Sequence, residues 1–363
     1  MFHKNLKFYR LKKNMTKKEL ASLVGVSPMS ITYYEEGERK PGMDVIKSLA
    51  KALDVRVSDF LVNRDENLVF THGEFRKNSK LPEKQQEYIK ASVEEYLNRF
   101  YQTVDILGGE VLPDAPDSHR VELHEDPEQD AVAMRRYLGI AEFGPVGNLV
   151  ELLENKGILV YFCDIDNDAF SGMNGLVNDR PYMIINQNMT PERIRSTIAH
   201  EMAHFIFIWP VDMVEKDIEA MVTAISGAFL FPAEDAKREL GIRRSAVTKD
   251  MTLICKEYGI SMYLLVKRAA LCGIINSSVE KDFYIKAGKC GWKKNEPVRI
   301  EREEPTLFLQ LVLRAVSENE ISVQKGAELL KQPYTFVARM VQKYGDEVLR
   351  ELEAAEKNEC VEK

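Results

Sequence analysis

Over the first sixty residues the apolar positions fall at helical spacing. Leu6, Leu11, Leu20, Ala21, Val24, Val26, Ile31, Val45, Ile46, Leu49, Ala50 and Leu53 recur at intervals of three and four, which puts one face of each short helix into a shared core. The punctuation agrees. Thr16 with Glu19 spells a capping box, and Gly25 stops the helix it opens. Ser27-Pro28 starts the next helix with Ser at the N-cap and Pro at the first helical position, and Pro41-Gly42 marks a turn. Residues 62–80 are polar and mixed and read as a linker or loop. Helical spacing returns over 82–106 through Tyr88, Ile89, Val93, Tyr96, Leu97, Phe100 and Tyr101. A Pro- and acid-rich stretch from Gly108 to Asp130 predicts a loop, and residues 128–155 predict helix, interrupted at Gly144-Pro145.

The period then changes. Ile158–Cys163, Gly175–Val177 and Tyr182–Asn186 read as short strands separated by Asp, Asn and Gly turns. A long helix is expected from Pro191 to Trp209, with Thr190 as its N-cap and Pro210 ending it, and a second from about Met213 to Phe231, ended by Pro232. Helices continue through 248–275. Residues 276–304 look irregular and charged, and 306–317, 322–331 and 334–357 close the chain as helices. The expected fold is mainly α with a small β-sheet (α+β), and there is no repeat at solenoid period.

A length of 363 residues predicts two or three domains. No stretch is apolar for long enough to span a bilayer, and the polar, basic start lacks a signal core, so a cytoplasmic protein is expected. The five cysteines, Cys163, Cys255, Cys272, Cys290 and Cys360, are scattered and form no C-x-x-C, which argues against a disulfide framework or a cysteine-based zinc site. Charge is uneven. Residues 1–61 hold 12 Lys/Arg against 7 Asp/Glu, or +5 on a chain of net −7, leaving −12 to the rest. A basic head on an acidic body implies that only the head approaches a polyanion.

That head has the layout of a helix-turn-helix: Lys17–Val24, a turn at Gly25-Val26-Ser27, and a recognition helix Pro28–Glu35 able to enter the major groove. Pro28, Met29, Ser30, Thr32 and Tyr33 would face bases or phosphate, while Lys17, Arg39 and Lys40 would supply salt-dependent backbone contact. Arg10, Thr16, Leu20, Ala21, Gly25, Val26, Ser27, Ile31, Glu35, Gly37, Arg39, Pro41, Leu49, Ala50 and Leu53 carry a resemblance to the Cro/C1-type, phage-repressor-like helix-turn-helix family. The resemblance implies a five-helix domain over residues 1–62 that binds double-stranded DNA. Where many members have Gln after the helix-opening Thr, this chain has Lys17.

The second motif is His200-Glu201-Met202-Ala203-His204, an H-E-x-x-H. Two His at i and i+4 lie on one helix face and can converge on one Zn²⁺ at about 2.0–2.1 Å. Glu201, about 100° round the helix, can serve as general base towards a water that the zinc acidifies. Ile194, Ile198, Met202 and Phe205 form the apolar stripe that would bury this helix. A catalytic zinc needs a third protein ligand and an open position. His204 lies six residues before Pro210 and Glu219 six after Met213, so an antiparallel hairpin brings them to similar height. That makes Glu219 the leading third ligand, with Glu215 and then Asp217 as alternatives.

The stretch Thr197–His204, together with Glu219 and Phe229-Leu230-Phe231-Pro232, resembles the ImmA/IrrE family of zinc metallo-endopeptidases, as do Ser261, Leu264 and Arg268 further on. Val222-Thr223 and Ile225-Ser226 stand where that family has Ala-Asn and Phe-Ala. The resemblance implies a zincin-like core, often fused to a Cro/C1-type head and a C-terminal helical module, which here looks like Glu304–Leu330. It leads to an expected division into 1–62 (DNA binding), 63–127 (helical linker), 128–276 (metallopeptidase) and 277–363 (C-terminal helices). It also implies an anti-repressor: an endopeptidase that cleaves a helix-turn-helix repressor, a zinc-activated water attacking the peptide carbonyl with Glu201 as base. The alternative is a DNA-binding regulator, or a toxin–antitoxin or phage-control component, whose zinc site is sensory or structural. The oligomeric state stays open, a homodimer among the options.

Overall fold

The first four helices of the computed structural model are α1 (Phe2–Lys12), α2 (Lys17–Val24), α3 (Pro28–Glu36) and α4 (Met43–Leu53), followed by a 3₁₀ turn at Val57–Leu61. The structure describes residues 1–62, 64–65, 67–73, 81–124, 126–292 and 295–343. Thr16 accepts from the Glu19 amide (3.1 Å) while Glu19 accepts from the Thr16 amide (2.6 Å), so two open amides at the start of α2 are satisfied reciprocally. Gly25 adopts the left-handed conformation (φ 75°) that turns the chain from α2 into α3. Leu6, Leu20, Ile31, Leu49, Leu53 and Phe60 are fully buried together and make the core of this bundle. Beside them lies a buried ion pair. Arg10 reaches across from α1 to donate to both carboxylate oxygens of Glu35 on α3 (2.5 and 2.8 Å) and to the Met15 carbonyl (2.9 Å).

Further elements follow in chain order: β1 (Phe70–His72), the long α5 (Glu83–Ile106), β2 (Val121–Glu122), α6 (Pro127–Leu138), α7 (Leu149–Asn155), β3 (Leu159–Cys163), β4 (Gly172–Val177) and β5 (Arg180–Asn186). After these come α8 (Pro191–Ile206), β6 (Phe207–Ile208), α9 (Glu215–Leu230), α10 (Ala233–Leu240), α11 (Met251–Tyr258), α12 (Met262–Leu271), α13 (Ser277–Lys289), α14 (Leu307–Ser317) and α15 (Val323–Leu330). Residues 334–343 are also helical, and the rest of the helix expected to 357 lies outside the described residues, as does Cys360. The protein is mainly helical with small sheets. Among the described residues no helix is long and apolar enough to cross a membrane.

The chain divides into two compact units. The first is built from Met1–Leu68, Glu87–Leu112 and the described residues from Thr306; the second from Val69–Gln86 and Pro113–Pro305. In the first unit, Phe308 of α14 packs on Phe100 and Tyr96 of α5 (ring centroids 5.6 and 5.2 Å). Glu95 of α5 is held by Arg99 (2.9 Å) and by Lys331 (2.7 Å). Burial alone would raise its carboxyl, but these two cations outweigh burial and lower it to about 2.

In the second unit a four-stranded sheet runs in the order β1-β4-β5-β3, with β3 parallel to β5 and the other neighbours antiparallel. Met183 and Ile185 of β5 and Val160 of β3 are buried in one cluster with Ile194, Ile198 and Met202 of α8, and with Val222, Ile225 and Phe229 of α9. This core fixes how α8 is rotated against the sheet.

Several boundaries differ from expectation. Helix α8 ends at Ile206, not at Trp209, because its last backbone groups find other partners. The His119 amide donates to the Phe205 carbonyl (2.9 Å), and Phe207–Ile208 pair in parallel with Val121–Glu122. A strand, β1, forms inside the stretch expected to be a loop. Helix α13 forms where irregular chain was expected. Asn276 caps it through the Val279 amide (3.0 Å), and its buried face has only Phe283 and Ala287, too sparse a stripe to show through the surrounding charges.

The Arg10–Glu35 pair is almost wholly shielded from water, with side chains 4% and 2% exposed. Removing one partner of such a pair strands the other charge. The substitution Glu35→Ala is expected to cost about 3–5 kcal/mol in chemical denaturation of the full chain, whereas Arg10→Met combined with Glu35→Leu recovers most of that loss.

Candidate metal centre and DNA-reading face

Helix α8 opens with Pro191 at its first position and Glu192 in its first turn, both suited to a helix start. Its apolar stripe, Ile194, Ile198, Met202 and Phe205, is buried as the spacing requires. That leaves His200 and His204, one turn apart, on a flank that is only partly covered, with ring centroids 4.9 Å apart. Helix α9 lies against α8 and brings Glu219 to both rings. Its Oε2 is 3.4 Å from His200 Nε2 and its Oε1 is 3.2 Å from His204 Nε2.

The ligand atoms of His200, His204 and Glu219 all lie within 4.8 Å of one another, and they form the one such His/Cys/Asp/Glu cluster among the described residues. Two neutral imidazole nitrogens and one carboxylate oxygen are a donor set that a catalytic zinc takes, so the residues present fit the metal. Glu215 and Asp217 sit in the first turn of α9, exposed and outside this cluster. Val222 and Ile225 are fully buried and serve the α8–α9 contact, while the Thr223 hydroxyl donates back to the Glu219 carbonyl (2.8 Å). The residues at 222–226 are thus absorbed by packing and by the helix itself.

Glu201 is buried, only 8% exposed, and its Oε2 accepts from the side-chain amide of Asn174 on β4 (3.0 Å). Asn174 was not singled out from the sequence. The available signal was an Asn inside a strand, a position where that residue is depleted. Trp209 closes the other side: its indole N–H donates to the His204 carbonyl (3.3 Å), and its ring lies 6.1 Å from the His204 ring.

In the helix-turn-helix, Ser27 accepts from the Ser30 amide (3.1 Å) at the start of α3. Ile31, Tyr34 and Glu35 face inward. Pro28, Met29 and Tyr33 are exposed, with Ser30 and Thr32 partly so, and Arg39 and Lys40 are exposed just beyond the helix. Lys17, at the first position of α2, is partly exposed. All eight residues expected to meet DNA are therefore at the surface.

Comparison with known proteins agrees with this division. Residues 6–60 match the helix-turn-helix family model, and residues 153–269 match the model of a peptidase family described as the IrrE N-terminal-like domain. Three relatives share the N-terminal region. An uncharacterized HTH-type transcriptional regulator of Methanocaldococcus jannaschii is 33% identical over 61 residues, 17% of this chain and 92% of the relative. One from Archaeoglobus fulgidus is 32% identical over 63 residues, 17% and 89% respectively. The regulator YqaE of Bacillus subtilis is 31% identical over 83 residues, 23% and 71% respectively. The chain belongs to the helix-turn-helix family of transcriptional regulators and carries, further along, an IrrE N-terminal-like domain of metallopeptidase type.

Proposed function

We propose that this chain is a zinc-dependent endopeptidase that regulates transcription, binding DNA through residues 1–62 and cleaving a helix-turn-helix repressor with a site in residues 128–276. The observation that carries the reading is the convergence of His200, His204 and Glu219 beside a buried Glu201, inside a peptidase-family domain and on the same chain as a DNA-binding head. His200, His204 and Glu219 would hold the zinc. When bound, zinc acidifies a water and polarises the scissile carbonyl.

The remaining work falls to the chain's own side chains. Glu201 takes the proton of the attacking water and returns it to the departing amine. Asn174, which donates to Glu201 Oε2, is a positioning residue. It helps to hold the carboxylate in one orientation beside the two histidines.

Three outcomes are expected. Glu201→Gln keeps the shape of the site and removes the base, so hydrolysis of a co-expressed target repressor should fall by about 10²–10⁴-fold, with zinc content by mass spectrometry unchanged. Relief of repression in cells by Glu201→Gln at wild-type level would refute the peptidase reading. The purified full chain should bind about one equivalent of zinc, and Glu219→Ala should weaken that binding and abolish hydrolysis. On the DNA side, the full chain should bind a random-sequence duplex with a strong salt dependence. Replacing Arg39 and Lys40 with Gln should lower the slope of log K against log salt by roughly 2.

A further inference from the structure

The outer edge of β4 is already paired. The Asn178 amide donates to the Val69 carbonyl (3.0 Å), the Val69 amide donates to Asn178 Oδ1 (2.8 Å), and the Gly73 amide donates to the Asn174 carbonyl (2.9 Å). Between these ends, Phe70, Thr71 and His72 stand opposite Val177, Leu176 and Gly175. The pairing is antiparallel, and it ends at Asn174, the residue whose side chain holds Glu201. An extended peptide that adds to a sheet edge takes this kind of position, and here it would bring its backbone to the rung beside the base.

The occupant is fitted but lightly held. A Cβ on Gly73 would lie 2.4 Å from the Asn174 carbonyl oxygen, so this close approach needs glycine. Yet the strand is three residues long, Thr71 is exposed, Val69 is 67% exposed, and Phe70 and His72 are only partly covered, His72 being tied by Nδ1 to the hydroxyl of Tyr182 on β5 (2.6 Å). Displacing so short an edge strand breaks three residues of ladder and the hydrogen bond between His72 and Tyr182, a cost that a peptide pairing with the same edge largely offsets.

We propose that Val69–Gly73 is an intramolecular competitor for the peptide-docking edge of β4, occupying the place of a substrate strand until an extended segment of another protein replaces it. This rests on the peptidase reading, but it can be tested without hydrolysis. The probe is a fluorescent hexapeptide, Leu-Val-Phe-Thr-His-Gly, matching residues 68–73, added to the zinc-loaded full chain carrying Glu201→Gln. Gly73→Val should drive the strand off through its Cβ, and faster hydrogen exchange at the Asn178 amide reports that it has left. The probe should then bind about tenfold tighter or more than to the chain with Gly73.

Thr71→Pro, which removes the central amide of the strand and leaves β4 untouched, should act in the same direction and serves where Gly73→Val folds poorly. Faster exchange at Asn178 with unchanged affinity for the probe overturns the proposal. Metal-dependent scission of the parent chain beside Gly73 also overturns it, because the strand would then be a substrate and not a block. If the probe binds as expected while chains with Glu201 intact cleave nothing, the peptidase reading fails and the competitor stands. If repressor cleavage is present but indifferent to both substitutions, the reverse holds.

Discussion

The burial of one helix face sets the geometry of the centre. Ile194, Ile198 and Met202 lock α8 against Met183 and Ile185 of the sheet, and Val222, Ile225 and Phe229 lock α9 against α8. A helix pinned along an apolar stripe has no rotational freedom left, so His200 and His204 must emerge on its flank and Glu201 must point inward. The same packing sets the height of Glu219. Core packing thus sets where these three positions meet, and the side chains His200, His204 and Glu219 make that meeting point a metal-ligand cluster.

Much of this could be read from the sequence because it is local. Thr16 with Glu19, Gly25, and Ser27 with Pro28 mark the ends of α2 and α3 through contacts within a few residues, and the structure places those boundaries where they were expected. The hairpin count that put Glu219 level with His204 worked although α8 ends three residues early and α9 starts two residues late. The errors on the two sides of the turn nearly cancel in an antiparallel pair. What was missed is non-local. β1 pairs with a strand more than a hundred residues away, β2 and β6 are two residues each, and Asn174 meets Glu201 only because β4 packs against α8. No periodicity over three residues distinguishes such a strand from a loop. Helix α13 was hidden differently: with two buried apolar positions among charges, it is held by its cap and by Phe283 against Tyr263.

Both units hold charge in their interiors. In the helix-turn-helix, Arg10 and Glu35 are spent inside the bundle, which fixes the angle between α1 and α3 and leaves Lys17, Arg39 and Lys40 at the surface. Elsewhere in that unit Glu95 is gripped by two cations. In the second unit several buried arginines serve the backbone. Arg135 donates to the carbonyls of Phe229, Ala141 and Gly144, and Arg268 donates to that of Phe231. These tie the end of α9 to its surroundings, so the helix that carries Glu219 is fastened at the end opposite the centre.

The first unit is assembled from three separated stretches of chain, and this has a consequence for its biogenesis. A ribosome delivers α1 to α4 early, and their contacts are local enough to form at once. Phe100 and Glu95 on α5 must instead wait for Phe308 and Lys331, some two hundred residues later in synthesis. The second unit is complete before they arrive. A chain cut short after residue 305 would thus contain every stretch of the second unit but lack Phe308 and Lys331, leaving the Phe100 and Glu95 face of α5 without its partners.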